Sequence, residues 1–386
     1  MKRRVAIITG GRADYGLVRP IYKAIAARPD LEALMIAAAA HLSAAHGGDS
    51  GVFAADGIPV AAQVPLLAAG DDAIAIARSI GAGVDGFADA IAAVRPDILV
   101  LVGDRFEILA AACAALALRV PIAHVHGGET TEGAFDEQIR HAVTKMAHLH
   151  FAAAEPYARR IVAMGEEPWR VHVSGAPGLD NLATVPVLSR AETMVALGLT
   201  VDAVPLLATW HPVTLDRHDS SDGLEGLLSV LFGRNEPVVF TVPNADDGRG
   251  SIVARIEAFC ASNPRARLHT ALGTRLYFNA MRHAAAMLGN SSSGIIEAPS
   301  FALPVVNIGT RQRGRLRAAN VIDCGDAGAD IGTALAKALA PDFRHSLAGL
   351  ANPYGDGHAG ARIAAVLAEV ELGAPFLVKR FHEVAA

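Results

Sequence analysis

Val5-Ala6-Ile7-Ile8-Thr9-Gly10-Gly11-Arg12-Ala13-Asp14-Tyr15-Gly16 passes from an unbroken apolar run through two glycines into a stretch patterned as a helix. A strand buried on both faces reads as continuous apolar sequence, and a glycine turn sends the chain back as a helix, so the segment opens a βαβ unit. Comparable runs recur outward from it: Leu34–Ala38, Ile98–Val102, Ile122–Val125 and His150–Ala153, then Pro205–Thr209, Val238–Val242, Ala266–Thr270, Ala286–Leu288 and Val305–Ile308. Longer helical stretches separate them. The alternation predicts an α/β protein of two Rossmann-like, doubly wound parallel sheets. The series breaks near Gly175–Thr200, where Gly175-Ala176-Pro177-Gly178 precedes a stretch with no strong strand signal. We expect one domain over 1–178, a second over 179–364, and a C-terminal segment, 365–386, that could cross back to the first.

Composition supports this reading and removes other classes. The 386 residues are 52% apolar and 19% charged with a net charge of -5, which excludes disorder, a disulfide scaffold and a polybasic nucleic-acid binder. The length suits two domains of roughly 150–200 residues. Alanine inflates the apolar fraction, so many helices with small-residue contacts are expected and no membrane affinity follows from the hydropathy. The longest apolar run, Ile108–Leu118, falls short of the roughly 18 residues a membrane span needs. The basic start Lys2-Arg3-Arg4 is followed by an apolar run too short for a secretion signal, so the expected location is the cytoplasm. Cys113, Cys260 and Cys324 form no metal spacing and read as small buried apolar residues.

In open α/β sheets ligands bind beyond the carboxyl ends of the strands. Each notable polar cluster follows a predicted strand. Thr9–Gly16 is not a GxGxxG turn, and Ala37–Ala40 supply no acid after the second strand, which disfavours a dinucleotide-binding dehydrogenase. Arg12 and Asp14 fall where a strand end would open a cleft, with a surface pair as the plain alternative. His41 and His46 follow the second strand without a carboxylate or cysteine at ligand spacing. They read as cleft-lining or plain loop residues, and no metal is expected.

Gly103-Asp104-Arg105 and His126-Gly127-Gly128-Glu129 end two further strands, the second running on to Glu132, Asp136, Glu137, Arg140 and His141. Asp104 as a helix N-cap and Asp136 and Glu137 as first-turn acids are the ordinary alternatives. Carboxylates converging on one cleft would repel one another and raise the pKa of one, giving an acid beside a base. In the second half, Trp210-His211-Pro212 and Pro243-Asn244 follow strands, as does Gly289-Asn290-Ser291-Ser292-Ser293-Gly294, with Glu297 one turn on. Backbone N–H groups at a helix start, three hydroxyls and the helix dipole suit a diphosphate, and Glu297 could accept both hydroxyls of a ribose. A serine N-cap with one exposed acid is the plain alternative. Arg315, in the basic stretch 309–315, could face the same anion.

At these residues the sequence closely resembles the hydrolysing UDP-N-acetylglucosamine 2-epimerases of the sialic- and legionaminic-acid pathways. The resemblance rests on residues 10–16, 41–43, 103–107, 126–129, 139–145, 210–214, 289–297 and 307–315, in one order along nearly the whole chain. It implies a GT-B-like architecture with the active site in the interdomain cleft, a nucleotide-sugar substrate, no cofactor and a homodimer or homotetramer. The implied reaction eliminates the nucleoside diphosphate from C1 with loss of the C2 proton, then adds water to release the free 2-epimer. By match to the family, Asp104, Glu129, Asp136 and Glu137 are the candidate acids and bases. His211 would contact the diphosphate or shuttle protons, Ser291, Ser292 and Ser293 would hold phosphate, and Glu297 would hold the ribose, with Arg12, Arg315 and Asn244 assisting. His126 stands where the non-hydrolysing relatives carry a glutamate, which favours the hydrolysing branch. Relatives acting on a 2,4-diacetamido-2,4,6-trideoxy sugar of UDP or GDP keep the sugar open. The alternatives are a non-hydrolysing epimerase, a GT-B glycosyltransferase, and a silent sugar-nucleotide binder that would have no use for the acids at 104, 129 and 136.

Overall fold

The structure is a computed structural model that describes residues 1–43, 48, 51–70, 72–131, 135–212, 221–242, 249–270 and 272–383. Contacts divide it into two units. The first comprises Met1–Glu129, Asp136–Asn181 and Tyr354–Ala386, and the second Thr130–Phe135 and Leu182–Pro353.

The first unit is built on strands β1 (Arg3–Thr9), β2 (Leu31–Ala38), β3 (Val60–Val64), β4 (Ile98–Val102), β5 (Ile122–Val125), β6 (Leu149–Ala152) and β7 (Val171–Val173). They pair in parallel in the order β3-β2-β1-β4-β5-β6-β7. The order reverses between β1 and β4, so the loops leaving these two strands diverge and leave room for a ligand. All of β4 is buried, as a strand covered by helices on both faces must be. The apolar run noted above is the helix Phe106–Ala117, whose buried face is Ala110, Ala111, Ala112, Ala114 and Ala115 with Ile108. Ile363, Ala364 and Leu367 from the helix Ala359–Glu369, with Phe376 beyond it, join the core under β1. That helix starts on Asp180, whose carboxylate accepts from the N–H groups of Ala359 (2.9 Å) and Gly360 (2.7 Å).

The second unit carries β8 (Leu206–Thr209), β9 (Val238–Thr241), β10 (Ala266–His269), β11 (Ala286–Gly289), β12 (Val305–Ile308) and β13 (Val321–Cys324), all parallel, in the order β10-β9-β8-β11-β12-β13. Its order reverses between β8 and β11. Leu206 and Ala208 enter one apolar cluster while Leu207 and Met287 enter another, so the sheet is buried on both faces. The two parallel sheets expected from the sequence are therefore present.

Three strands escape the sequence reading: β3, β7 and β13. Each lies at a sheet edge, where one side needs no apolar cover, and none of the three is fully buried. No helix among the described residues is long and apolar enough to cross a membrane.

Candidate functional site

In the first unit the polar residues gather at the carboxyl ends of β1, β4 and β5. Arg140, on the helix Asp136–Met146, is 3% exposed and forms an ion pair with Asp104, 36 residues upstream. A second branch lies 3.4 Å from Glu137 Oε2. Burial works against the guanidinium charge, but Asp104, Glu129 and Glu137 more than offset it and hold its pKa above the ordinary value. A shared buried cation, which the sequence reading did not foresee, thus lies among the acids. Asp104 is also no helix N-cap, since Arg105 occupies that position and no side chain caps the helix. Asp136 and Glu137 do sit in the first turn of their helix, and Glu137 Oε1 in addition lies 3.1 Å from His141 Nε2.

The β5 loop adds a second pair. His126 Nδ1 lies 2.5 Å from Glu129 Oε1, with His126 7% and Glu129 2% exposed. His126 has a φ of 66°, a left-handed conformation that costs a non-glycine residue on the order of 1 kcal/mol or more. Beneath it, His124 Nε2 donates to the Gly103 carbonyl at 2.8 Å and fixes the turn that presents Asp104. Burial drives the His124 pKa down to about 3, so this ring is neutral.

Glu107 belongs to the same group and no sequence motif reading singled it out. Its carboxyl is 1% exposed, Oε1 accepts from Arg105 Nε at 2.9 Å, and Oε2 has no hydrogen-bond partner among the described residues. The available signal was Gly10, where a Cβ would overlap the Glu107 carboxylate. The first glycine after β1 makes room for a buried acid, not for a dinucleotide phosphate.

His41 is 2% exposed, with Nε2 3.0 Å from Thr9 Oγ1 and its ring against Tyr15 and Phe53. These contacts pack it against the end of β1 and the apolar core of the first unit. Asp14 lies in the first turn of the helix Arg12–Ala26. The side chain of Arg12, and all of His46 and Asn244, lie outside the described residues. Among the described residues no group of three His, Cys, Asp or Glu side chains is placed to hold a metal ion.

In the second unit the loops leaving β8 and β11 are tied together by Asn290. Its Oδ1 accepts the His211 N–H at 2.7 Å and its Nδ2 donates to the His211 carbonyl at 2.8 Å, while its own carbonyl accepts from Gln312 Nε2 at 2.8 Å. His211 is therefore held by its backbone, with its ring 7% exposed residue-wide and Nδ1 unpartnered among the described residues. Burial, then the Arg311 charge, lowers its pKa to about 3. A neutral imidazole can give a phosphate one N–H but no net charge.

Ser291, Ser292 and Ser293 form the turn that follows, and the expected helix is a single turn, Ser293–Ile296. Ser292 is at the N-cap position without a side-chain cap bond, while Ser291 Oγ accepts from the Ser293 N–H at 3.4 Å. So short a helix contributes little dipole, which corrects that part of the anion argument and leaves the hydroxyls and N–H groups. The sharp exit from β11 requires Gly289, at φ 124°, because a Cβ there would overlap the Thr209 carbonyl. Glu297 follows, its N–H bonded to the Ser293 carbonyl at 3.0 Å, which puts both on one face. Tyr277, another residue the sequence did not single out, lies beside Ser293 and Thr209, and burial pushes its pKa up. Thr209 Oγ1 lies 2.5 Å from Thr241 Oγ1, extending the hydroxyl cluster. Arg315 is engaged within this unit, donating to the Thr130 carbonyl at 2.9 Å and to Thr131 Oγ1 at 3.2 Å.

The sequence profile of the UDP-N-acetylglucosamine 2-epimerase family matches residues 23–368. The GDP/UDP-N,N'-diacetylbacillosamine 2-epimerase (hydrolyzing) of Campylobacter jejuni is 36% identical over 324 residues, 83% of this chain and 84% of that protein. The UDP-N,N'-diacetylbacillosamine 2-epimerase (hydrolyzing) of Legionella pneumophila is 34% identical over 98% of this chain and 99% of its own length. Among solved structures, the Neisseria meningitidis UDP-GlcNAc 2-epimerase bound to UDP-GlcNAc superposes with a TM-score of 0.81 at 18% identity, covering 94% of this chain and 99% of that one. At that identity the likeness is one of fold, two Rossmann-like units of the GT-B type.

Proposed function

The chain belongs to the UDP-N-acetylglucosamine 2-epimerase family, and from that premise we propose that it is a hydrolysing 2-epimerase of a nucleotide-linked 2,4-diacetamido-2,4,6-trideoxy sugar. The products are the free 2-epimeric sugar and a nucleoside diphosphate. The observation that carries the reading is the group of acids, Asp104, Glu129 and Glu137, around the buried Arg140 at the carboxyl ends of β4 and β5. A protein that only held the nucleotide would have no use for it. The choice of sugar is supported by the 36% and 34% identical relatives, both named for diacetylbacillosamine nucleotides.

Proton transfer at C2 and departure of the diphosphate from C1 must proceed together, because the C2–H bond is not acidic until the C1–O bond weakens. The first unit supplies groups for the proton: Asp104, Glu129, Asp136 and Glu137. The second supplies neutral donors for the leaving group, Ser291, Ser292, Ser293 and His211, with Glu297 for the ribose. The test incubates the protein in heavy water with UDP- and GDP-N,N'-diacetylbacillosamine and with UDP-N-acetylglucosamine, followed by proton NMR. Free 2-epimer carrying deuterium at C2 from a diacetamido nucleotide is expected. A nucleotide-linked epimer as end product would replace the reading with a non-hydrolysing epimerase, and turnover of UDP-N-acetylglucosamine alone would change the sugar.

A further inference from the structure

Resting on the epimerase reading, we propose that His126 is the base that takes the C2 proton and that Glu129 is its positioning residue. A carboxylate only accepts hydrogen bonds, so the 2.5 Å contact between His126 Nδ1 and Glu129 Oε1 places the ring proton on Nδ1. Nε2 is left with a lone pair. This nitrogen is buried and has no hydrogen-bond partner among the described residues, an arrangement that costs about 1–3 kcal/mol and is kept where a ligand is to satisfy it. The backbone at His126 is held left-handed, at φ 66°, where β5 would otherwise hand over to a glycine. Strain of this kind re-aims a side chain at the end of a strand and gathers at functional sites.

Two of the neighbouring acids are committed elsewhere. Asp104 is paired with Arg140, and Glu137 is divided between Arg140 and His141. The His126 lone pair carries no such commitment, and the Glu129 carboxylate behind it stabilises the imidazolium that forms, the logic by which a buried acid orients a catalytic histidine. In the elimination step the C2–H bond breaks, its proton goes to Nε2 and its electron pair forms the C1=C2 bond. The C1–O bond breaks with it, and that pair leaves on the nucleoside diphosphate. Hydration of the double bond, with OH added at C1 and a proton at the opposite face of C2, then completes one turnover as His126 returns its proton to solvent.

The experiment uses the full chain with UDP-N,N'-diacetylbacillosamine in heavy water, reading UDP release and deuterium at C2. His126→Ala and His126→Gln are expected to lower kcat by about 10²–10⁴ with KM within threefold. Added imidazole is expected to restore His126→Ala at least tenfold. Glu129→Gln should lower kcat with KM unchanged and should not respond to imidazole, since its own ring is in place. His141→Gln, which alters the carboxylate–histidine contact with Glu137, should cost less than tenfold. Retention of kcat within threefold in both His126 variants overturns the proposal, as does a loss in His126→Ala that imidazole does not relieve. Should His126→Ala fail to fold, as judged by its thermal melt, the kcat and KM of His126→Gln decide. Wild-type protein that releases no nucleoside diphosphate overturns the epimerase reading and this proposal with it, whereas active wild type beside active His126 variants overturns the proposal alone.

Discussion

The carboxyl end of the first sheet, after β4 and β5, and that of the second, after β8 and β11, are built from opposite materials. The first is ionic: His126, Glu129, Asp104 and Glu137 around a buried arginine. The second is mostly neutral: an asparagine, three serines, two threonines, a tyrosine and an imidazole kept uncharged by burial, with Arg311 on the Asn290 carbonyl as its cation. Moving a proton requires groups of unequal basicity close together, which only ionisable side chains provide. Holding a leaving diphosphate requires donors fixed in place, and neutral dipoles do this without a fixed charge of their own to be neutralised. On the proposed function, one fold used twice separates the chemistry from the binding.

Removing the cation should produce the largest effect and confine it to the ionic side. Arg140→Met leaves Asp104, Glu129 and Glu137 without their shared partner, and breaking a buried ion network in this way costs about 3–5 kcal/mol. Urea unfolding should show that loss, and hydrogen exchange should accelerate in β4 and β5 while β8 and β11 keep their protection. A loss under 1 kcal/mol would mean that the acids do not depend on Arg140.

Acid should act next, and unequally. Burial depresses the pKa of His124 to about 3 and of His148 to about 4 in the first unit, and of His211 to about 3 in the second. A histidine with a lowered folded-state pKa contributes stability that is complete above the ordinary value near 6.5 and is lost as pH falls through the window toward the folded value. At pH 5 each costs about 2 kcal/mol, so roughly 4 kcal/mol falls on the first unit through this pair and about 2 on the second. Hydrogen exchange at pH 7 and pH 5 should therefore show β4–β6 opening before β8 and β11. The reverse order would show that these histidines are not neutral in the folded protein.

The comparison also explains what the sequence could and could not disclose. Ile98–Val102, Ile122–Val125 and Val305–Ile308 are legible to the residue because a parallel strand covered on both faces has to be apolar throughout. The edge strands β3, β7 and β13 carry no such requirement. The site residues were legible by position, as polar side chains following strands. Their partnerships were not, because Arg140 meets Asp104 across 36 residues and Asn290 meets His211 across 79, and such pairs depend on the register of strands and helices. Nothing local in His126-Gly127-Gly128-Glu129 marks the first residue rather than the two glycines as one of the strained positions. Glu107 and Tyr277 were hidden for the same reason, each being defined by what approaches it in space.

Asn290→Ala tests whether the neutral side is as rigid as its hydrogen bonds suggest. It strips the His211 N–H and carbonyl of their partners at once, leaving two backbone groups buried, and should cost about 2–3 kcal/mol by urea unfolding. UDP affinity should fall with it, and Asn290→Asp should recover only the bond to the N–H, since a carboxylate cannot donate to the carbonyl. Equal stability of the two variants would show that the carbonyl contact carries the weight.

Glu297 is the one acid on the neutral side, and it gives the smallest and sharpest test of the division. If it accepts from the ribose hydroxyls it takes no part in proton transfer, so Glu297→Ala should weaken UDP binding by about 1.5 kcal/mol, roughly tenfold in Kd, and leave kcat at saturating substrate within threefold. Calorimetry with UDP and steady-state turnover separate the two quantities. A fall in kcat with Kd unchanged would put an acid–base group in the second unit and end the separation, whereas the expected split would show that a carboxylate following a strand end is assigned its task by its surroundings, here serines and a tyrosine in place of a buried arginine.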